Sequence, residues 1–393
     1  MTAFPFVCIV SQEVPHSKAA GSIILHRLFN QWPADRLVVY GPRPPDGAEK
    51  LQCDYHEFRS RIDRIQYSRL APLAPILSHL FPVELPTITL PKGAVVVSVM
   101  QSSAYYRAAL RVARDNRAPL ILIIHDDPEE IEPVRWWSRF ILRHFNTQVY
   151  RAASLRFCIS PQMAIVLAER YGVQGNVLYP NRSRTIKPRP ENANYALRRE
   201  GRLVIGYVGA LGYGYGHRIE QLLPIFRRRG VIIRIYSLQE PWFTSDPSVE
   251  YAGRFSEPNQ IWPRVQAECD AVILPYHGNP GRGHEALYTT HFPSKLTEYL
   301  ALGMPLVITG PTYATGVQWG RDHPNACVVI PCTIQEQWDQ VLQHLIDDPP
   351  YRSALANGAV AAAFGEFDPV KIEAMFRSEI LAQSRINDGL QEH

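Results

Sequence analysis

The stretch His291-Phe-Pro-Ser-Lys-Leu-Thr-Glu-Tyr-Leu-Ala-Leu-Gly-Met-Pro-Leu-Val-Ile-Thr-Gly310 combines a loop, a short helix, a glycine stop and a buried strand. Apolar residues recur at helical spacing after Pro293, and Gly303 ends the helix before an apolar run typical of a parallel strand. Lys295 and Glu298 lie three residues apart, on one side of that helix. A helix N-terminus beside a lysine favours phosphate, and a carboxylate one turn later can accept hydrogen bonds from a ribose. The stretch therefore predicts a nucleotide-diphosphate site.

Length and composition indicate a globular protein of two domains. The chain has 393 residues, of which 46% are apolar and 20% charged, which is typical of soluble proteins with ordinary cores. A net charge of only +4 argues against a dedicated nucleic-acid binder. The six cysteines show no CxxC spacing, and the N-terminus shows no secretory signal. We therefore expect free thiols, a cytoplasmic location and no nucleic-acid partner.

Strand-like runs alternate with helical patterns along the chain, which is typical of parallel sheets in α/β proteins. The expected strands are residues 6–10, 37–40, 94–99, 120–124 and 155–159, then 203–208, 231–236, 271–274, 306–309 and 328–331. The expected helices cover residues 19–31, 102–116, 131–151, 161–171, 333–348 and 368–383. Residues 42–93 receive no assignment, and residues 237–262 are expected to form a long loop with one short strand.

A polar, proline-bearing segment at residues 181–201 is typical of a linker. We expect residues 1–185 and 186–365 to form two Rossmann-like domains, and residues 366–393 a C-terminal helix that packs back on the first. Ligands of such sheets bind at the carboxyl ends of the strands, so the sequence predicts a cleft between the two domains.

The opening stretch resembles the donor-binding signature of the retaining glycosyltransferases with the two-domain GT-B fold. In that family, a Pro-x-Lys-x-x-Glu-x-x-Ala-x-Gly-x-Pro-Val run supplies the glutamate that holds the donor ribose. The matching positions in this chain are Pro293, Lys295, Glu298, Ala301, Gly303 and Pro305. The resemblance implies an α/β GT-B fold in which residues 1–185 form the acceptor-side domain and residues 186–365 bind the nucleotide-sugar donor. It implies no further cofactor.

A glycine-rich segment, Val204–His217, runs from a strand into a helix. The residues alone are compatible with a flexible turn, although glycines also let backbone N–H groups approach an anion. In the resembling family, a Val-Gly-x-Leu motif opens the second domain, and an arginine and a lysine after it hold the donor phosphates. The resemblance therefore assigns Gly209 and Gly212 to the donor. Ala210 and Tyr215 stand where the two cations are usual.

The diphosphate would then be held by Lys295, the helix dipole and backbone amides, together with Arg218 or Arg282. A solvated loop cation is the alternative interpretation of Arg282. Thr290 is a further departure, because the family commonly has a glutamate eight positions before the ribose glutamate. We keep Thr290 as a donor-side position. Glu285 could contribute a carboxylate only if its loop folds back.

The apolar run at residues 120–124 delivers His125 and Asp126 to the carboxyl edge of the expected first sheet. The resemblance implies that His125 contacts the donor sugar or leaving phosphate and that Asp126 orients it. The alternative is a strand-terminal histidine followed by an aspartate that caps the next helix. No Asp-x-Asp motif occurs in the chain, so we expect no required metal.

The loop after the first strand carries a glycine, Gly21, that matches a family position near donor phosphate and acceptor. His16 and Lys18 in the same loop are candidate anion contacts.

With these roles, the reaction would be retaining transfer of a sugar from a UDP- or GDP-linked donor. The acceptor would be a saccharide or lipid-linked saccharide in surface polysaccharide or glycoconjugate synthesis. A sugar-nucleotide epimerase is an alternative, and so is a catalytically silent GT-B scaffold or regulatory protein.

The expected helix at residues 135–151 places Arg135, Arg139, Arg143 and Arg151 beside an apolar stripe of Trp137, Phe140, Ile141 and Phe145. Basic residues next to interfacial aromatics suit an anionic membrane surface, in keeping with a peripheral position on the inner face of the plasma membrane. The alternative is a domain helix with its arginines in water.

Overall fold

The structure is a computed structural model that describes residues 4–60, 65, 68–70, 73–74, 77, 83, 85–131, 136–190, 195–253, 258–279, 284–332 and 335–390. The chain divides into two compact units. Unit 1 comprises Met1–Asn181 and Val370–His393, and unit 2 comprises Arg182–Pro369. Each unit is built around its own parallel sheet.

The described part of unit 1 contains a seven-stranded sheet in the order β3-β2-β1-β4-β5-β6-β7. Its strands are β1 (Val7–Val10), β2 (Leu37–Gly41), β3 (Asp54–Glu57), β4 (Val95–Val99), β5 (Leu120–Ile124), β6 (Leu155–Cys158) and β7 (Asn176–Val177). The central strands β1, β4 and β5 are buried along their whole length, which is why both faces are apolar. All pairings are parallel, so the residues that follow β1 and β5 reach the same sheet edge.

The described helices of unit 1 are α1 (Ala20–Phe29), α2 (Ser103–Asp115), α3 (Pro128–Ile131), α4 (Trp136–Ala152), α5 (Pro161–Tyr171) and α13 (Pro369–Leu390), whose first residue belongs to unit 2. A short 3₁₀ turn covers Ala34–Arg36. Helix α5 begins as its sequence predicts, because the Ser160 hydroxyl accepts a hydrogen bond from the N–H of Met163 and Pro161 follows the cap.

The described part of unit 2 contains a six-stranded sheet in the order β10-β9-β8-β11-β12-β13. Its strands are β8 (Val204–Val208), β9 (Ile232–Tyr236), β10 (Val249–Gly253), β11 (Ala271–Pro275), β12 (Leu306–Gly310) and β13 (Val328–Pro331). Its described helices are α6 (Tyr215–Arg229), α7 (Pro258–Glu268), α8 (His284–Thr290), α9 (Ser294–Ala301), α10 (Thr315–Asp322), α11 (Gln335–Asp347) and α12 (Pro349–Gly365). The site-bearing segments follow β8 or lie between β11 and β12.

Each of the ten expected strands is present within one residue of its predicted ends. The sequence missed the edge strand β3, the two-residue strand β7 and, as a defined element, the edge strand β10. Helix α7 begins inside the segment expected to be a long loop, because Pro258 stands at its first residue, where a missing N–H costs nothing.

The polar segment after residue 180 begins with buried residues. Asn181, Arg182 and Ser183 are 1%, 2% and 5% exposed, respectively. The segment expected to be a linker thus begins with three buried residues. Arg182 donates to the carbonyl of Ala363 at 3.2 Å.

Candidate functional site

The glycine loop after β8 has a backbone that only glycine adopts easily. Gly209 has a φ of +119°, and a Cβ at this position would lie 2.6 Å from Cε of Lys295. Gly214, which precedes α6, has a φ of +82° and lies against the Cβ of His277. A side chain at Gly212 would meet open space. The requirement for glycine is thus conformational at Gly209 and Gly214, and at Gly209 it also lets the lysine approach.

Lys295 occupies the space that Gly209 leaves. Its Nζ donates to the hydroxyl of Tyr207 at 2.8 Å and lies 4.7 Å and 4.3 Å from the ring centroids of Tyr207 and Tyr215. Aromatic faces attract a cation. No carboxylate pairs with Lys295 in the described part of the chain. Burial without a counter-charge lowers the pKa of Lys295 to about 7.

The two positions where the family usually has cations both belong to this arrangement. The carbonyl of Ala210 accepts a hydrogen bond from the Tyr207 hydroxyl, which in turn accepts from Lys295. Tyr215 supplies one of the two rings beside the ammonium. Lys295 therefore brings an amine that can carry a positive charge to a loop in which Ala210 and Tyr215 carry none.

Helix α9 is fixed to the same strand end by Tyr299. The Tyr299 hydroxyl accepts from the N–H of Val208 at 2.8 Å and donates to its carbonyl at 3.2 Å. Gly303 follows the helix with a φ of +64°, and a Cβ there would lie 2.9 Å from the backbone nitrogen of Arg189. The helix, its glycine stop and β12 have the form that the sequence predicts.

Glu298, the expected ribose ligand, is 6% exposed. Its two carboxylate oxygens lie 3.3 Å and 3.2 Å from the backbone nitrogen of Ser183, whose N–H donates to them. The interpretation from the sequence required an accessible carboxylate. In this conformation, the carboxylate already has a protein donor, so a ribose would have to share it or displace it.

Arg218 is a second buried cation of unit 2. It is 7% exposed and donates to Oγ1 of Thr309 at 2.9 Å and to Oε1 of Gln221 at 3.3 Å. Its Nε is buried and has no hydrogen-bond partner among the described residues. Burial lowers the pKa of this guanidinium. The side chain thus lies at the end of β12 with a donor still unsatisfied.

The remaining donor-side predictions have different outcomes. Thr290 is 2% exposed, and its hydroxyl donates to the carbonyl of Ala286 in its own helix at 3.1 Å. Arg282 lies outside the described residues. Glu285 is exposed at the start of α8. The structure thus gives Thr290 an internal hydrogen bond typical of a helical threonine.

In unit 1, His125 follows β5 as expected and is 8% exposed. Its Nδ1 lies 3.2 Å from Oε2 of Glu13, a residue that the sequence analysis did not single out. The carboxylate at this nitrogen therefore comes from the loop after β1, while the expected orienting residue, Asp126, is half-buried next to the histidine. One indication of this role was present in the sequence, because Glu13 lies in the same loop as the candidate residues His16 and Lys18 and precedes Gly21.

Asp127, the next residue, behaves as a helix cap. It is fully buried, accepts from the N–H of Glu129 at 3.0 Å and forms an ion pair with Arg170 at 2.6 Å. Glu129 accepts in turn from Arg143 at 2.8 Å. The alternative interpretation of an aspartate that caps the next helix therefore holds for Asp127.

Helix α4 differs from the expected basic face. Arg139 pairs with Glu130 at 2.9 Å and Arg143 pairs with Glu129 at 2.8 Å. Phe140 is 77% exposed, whereas Phe145 is buried. Arg135 lies outside the described residues. The charge of the two central arginines is thus largely neutralised by the neighbouring helix α3.

In the part of the chain that the structure describes, no group of three or more histidine, cysteine or acidic side chains could hold a metal ion. The six cysteines are free thiols. Within the same residues, no helix has the length and hydropathy needed to cross a bilayer.

No protein-family model and no curated protein matches this chain. Solved structures do match it. HepE of Anabaena, in complex with UDP-glucose, is similar over 97% of this chain and 100% of its own, with a TM-score of 0.61 and 16% identity. A glycosyltransferase from Rickettsia africae is similar over 96% of this chain and 99% of its own, with a TM-score of 0.63 and 10% identity. Sucrose-phosphate synthase of Thermosynechococcus elongatus covers 95% and 97%, with a TM-score of 0.61 and 11% identity.

These neighbours have the GT-B fold, so the expected fold class is confirmed. Sequence identities of 10–16% to these structures establish similarity of the fold alone, because one fold can support many functions.

Proposed function

We propose that this protein is a glycosyltransferase that takes a sugar from a nucleotide-diphosphate donor bound at the glycine loop of unit 2. The observation that carries the proposal is Lys295, a half-buried lysine whose ammonium group lies beside two tyrosine rings and whose side chain fills the space next to Gly209. A buried cation without a carboxylate is costly and is therefore expected where an anion binds. The similarity to HepE, solved with UDP-glucose, supports a uridine nucleotide as the first donor to test.

In this proposal, the diphosphate binds at Lys295 and the backbone amides of the glycine loop, and Arg218 supplies a further donor through its unsatisfied guanidinium nitrogen. Glu298 holds the ribose through its carboxylate oxygens, which would share or exchange the N–H of Ser183. The helix dipole of α9 favours the negative charge at the same end.

We further propose transfer with retention and without a metal ion. The bond between the anomeric carbon and the diphosphate oxygen breaks, the bond to the acceptor oxygen forms, and the acceptor proton passes to the departing phosphate. In this scheme the protein stabilises charge on the diphosphate and positions the acceptor hydroxyl, the two tasks that lower the barrier most.

The acceptor is proposed to be a saccharide or lipid-linked saccharide, with a peripheral position on the inner face of the plasma membrane. The membrane contact would rest on the exposed Phe140, since Arg139 and Arg143 are paired with carboxylates. Flotation with anionic vesicles tests this contact. Binding that Phe140→Ser abolishes and Arg143→Gln leaves unchanged would support it, and no flotation would dismiss it.

A thermal-stability screen with UDP, GDP and their sugar conjugates tests the donor proposal. A matching nucleotide is expected to stabilise the wild-type protein by about 2.7 kcal/mol at a concentration of 100 times Kd. Lys295→Met should abolish this stabilisation. Glu298→Gln should weaken it while keeping one oxygen for the N–H of Ser183. Glu200→Gln, an exposed acid of unit 2, is the matched control.

A catalytically silent GT-B protein is the second candidate. It is favoured by Ala210, by Tyr215 and by the carboxylate of Glu298, which already accepts from a protein N–H. Indifference to every nucleotide in the screen would favour this candidate. Nucleotide binding followed by release of UDP or GDP in the presence of an acceptor would favour the transferase.

A further inference from the structure

Two loops of unit 1 bring Glu13 and His125 together at the carboxyl edge of the sheet, although 112 residues separate them in the sequence. Oε2 of Glu13 lies 3.2 Å from Nδ1 of His125. Only 14% of the glutamate side chain and 10% of the histidine side chain are exposed. A hydrogen bond to a carboxylate is stronger than a neutral one, and shielding from water strengthens it further.

Two neighbouring residues, Ser11 and Gly21, determine the position of Glu13. Its N–H donates to Oγ of Ser11 at 3.1 Å, and Ser11 is fully buried at the end of β1. Gly21, in the first turn of α1, leaves room for the carboxylate, because a Cβ at this position would overlap it. The carboxylate therefore lies at a helix N-terminus that has no acidic residue in its own first turn.

The other nitrogen of the imidazole, Nε2, lacks a partner among the residues that the structure describes. Nε2 of His125 is buried and forms no hydrogen bond with the described residues. Buried polar atoms in folded proteins are nearly always paired, so this orphaned atom indicates a place where a ligand completes the site. The opposite nitrogen is already taken by Glu13, which fixes the direction from which the ligand must come.

We propose that Glu13 is a positioning residue that keeps the proton of His125 on Nδ1, so that Nε2 accepts a hydrogen bond from a ligand hydroxyl. An ionised carboxylate can only accept hydrogen bonds, and the proton between the two groups therefore belongs to the imidazole. The assignment of the hydroxyl to a sugar rests on the proposed function. Among the described residues, His16 lies close enough to Glu13 to feel its charge, and Asp126 follows His125 in the chain.

Nitrogen NMR of protein labelled with ¹⁵N-histidine, recorded above the ordinary imidazole titration range, reports which ring nitrogen carries the proton. His125→Gln identifies the signals of His125. In the wild-type protein we expect a protonated Nδ1 and an unprotonated Nε2. Glu13→Ala removes the carboxylate, so the proton should move to Nε2 and the Nδ1–H signal should be lost.

Gly21→Ala tests the same geometry without a change at Glu13. The added methyl group must displace the carboxylate, whereas alanine itself is a better helix former than glycine. We therefore expect the same loss of the Nδ1–H signal in a protein that still folds. Glu49→Ala, which removes an exposed acid of the same unit, should leave the signal unchanged. An Nε2–H tautomer in the wild type, or an unchanged tautomer in both Glu13→Ala and Gly21→Ala, would overturn the proposal.

An activity measurement then connects the pair to the proposed function. With a donor and acceptor that are turned over, Glu13→Ala should lower kcat/KM by roughly tenfold, because Nε2 of His125 would then carry the proton and would no longer accept the hydrogen bond of the ligand hydroxyl. An unchanged kcat/KM in Glu13→Ala would contradict a role in positioning His125. If no sugar nucleotide is turned over at all, the proposed function fails, and the tautomer result still decides the role of Glu13.

Discussion

The side chain of Lys295 couples protonation to ligand binding. Burial lowers its pKa to about 7, so near neutral pH a large fraction of the free protein carries an uncharged amine. A bound diphosphate would favour the ammonium form, because an opposite charge nearby raises the pKa of a lysine. Above pH 7, nucleotide binding must therefore take up a proton, and affinity must fall as the pH rises.

We expect UDP binding one pH unit above the pKa of Lys295 to take up close to one proton, and Kd to rise by up to about tenfold per pH unit over that range. Titration calorimetry in two buffers with different ionisation enthalpies measures the uptake. Lys295→Met should remove both effects, whereas the exposed Lys187→Met should keep them. Proton uptake that persists in Lys295→Met would assign the titration to another group.

The backbone conformation of Gly209 leads to a prediction about stability at the same site. Its φ of +119° and the Cβ distance of 2.6 Å to Cε of Lys295 both oppose a side chain. Gly209→Ala should therefore lower the free energy of unfolding by about 1–3 kcal/mol. Gly212→Ala, in the same loop but facing open space, should change it by no more than about 0.5 kcal/mol. Equal effects in denaturant titrations would contradict the strain assigned to Gly209.

Helices of both units end on arginine side chains that are buried or half-buried. Arg156 donates to the carbonyls of Arg151 and Ala153 at the end of α4, and Arg189 donates to that of Cys269 after α7. These helix ends leave carbonyl groups without partners inside the helix, and a guanidinium satisfies several of them at once. Burial lowers the pKa of Arg189 to about 10, which still leaves it charged at neutral pH.

A substitution of Arg352 tests this capping of helix ends by arginine side chains. It is 2% exposed and donates to the carbonyls of Leu345 and Ile346 near the end of α11, and to that of Tyr195. Arg352→Met should lower the free energy of unfolding by about 3 kcal/mol, because several buried carbonyls lose their donor. Arg228→Met, which breaks an exposed pair with Asp339, should have a far smaller effect in the same denaturant titration. Comparable losses would argue against the capping role.

The elements that the sequence predicted well are those with a fully buried strand. Strands β5 and β12, buried along their length, have continuous apolar runs that end at polar or glycine residues. The missed strand β3 reads Asp-Tyr-His-Glu, lies at a sheet edge and buries none of its residues completely. At an edge, the backbone pairing of one side decides the structure, and the side chains carry no apolar pattern.

The sequence predicts spatial relations only between residues that are close in the chain. Lys295 and Glu298 share one helix, and their spacing predicts that they lie on a common side. The contact between Glu13 and His125 depends on the order of strands β1, β4 and β5, which no local pattern encodes. The hydrogen bonds from the N–H of Ser183 to Glu298 could not be predicted from the sequence either. The polar segment around Ser183 has the composition of a linker.

At the scale of the whole molecule, the C-terminal helix completes the core of unit 1. Residues from Val370 onward follow unit 2 in the sequence but belong to unit 1. Phe376 is fully buried, with its ring centroid 5.3 Å from those of both Phe29 and Phe157. Ser384 donates to the carbonyl of Gly93 at 2.5 Å. The end of the chain is thus part of the fold of its beginning.

Phe376→Ala should therefore destabilise unit 1, although it lies beyond unit 2 in the sequence. Removing a buried phenylalanine ring leaves a cavity and costs about 3–5 kcal/mol. Hydrogen exchange should show faster amide exchange in α1 and β6, which carry the ring partners Phe29 and Phe157, while β8 and β11 keep their protection. Ile386→Ala, which truncates a 56% exposed side chain on the same helix, should leave both sheets protected. Protection lost first in β8 and β11 would assign the terminal helix to the stability of unit 2.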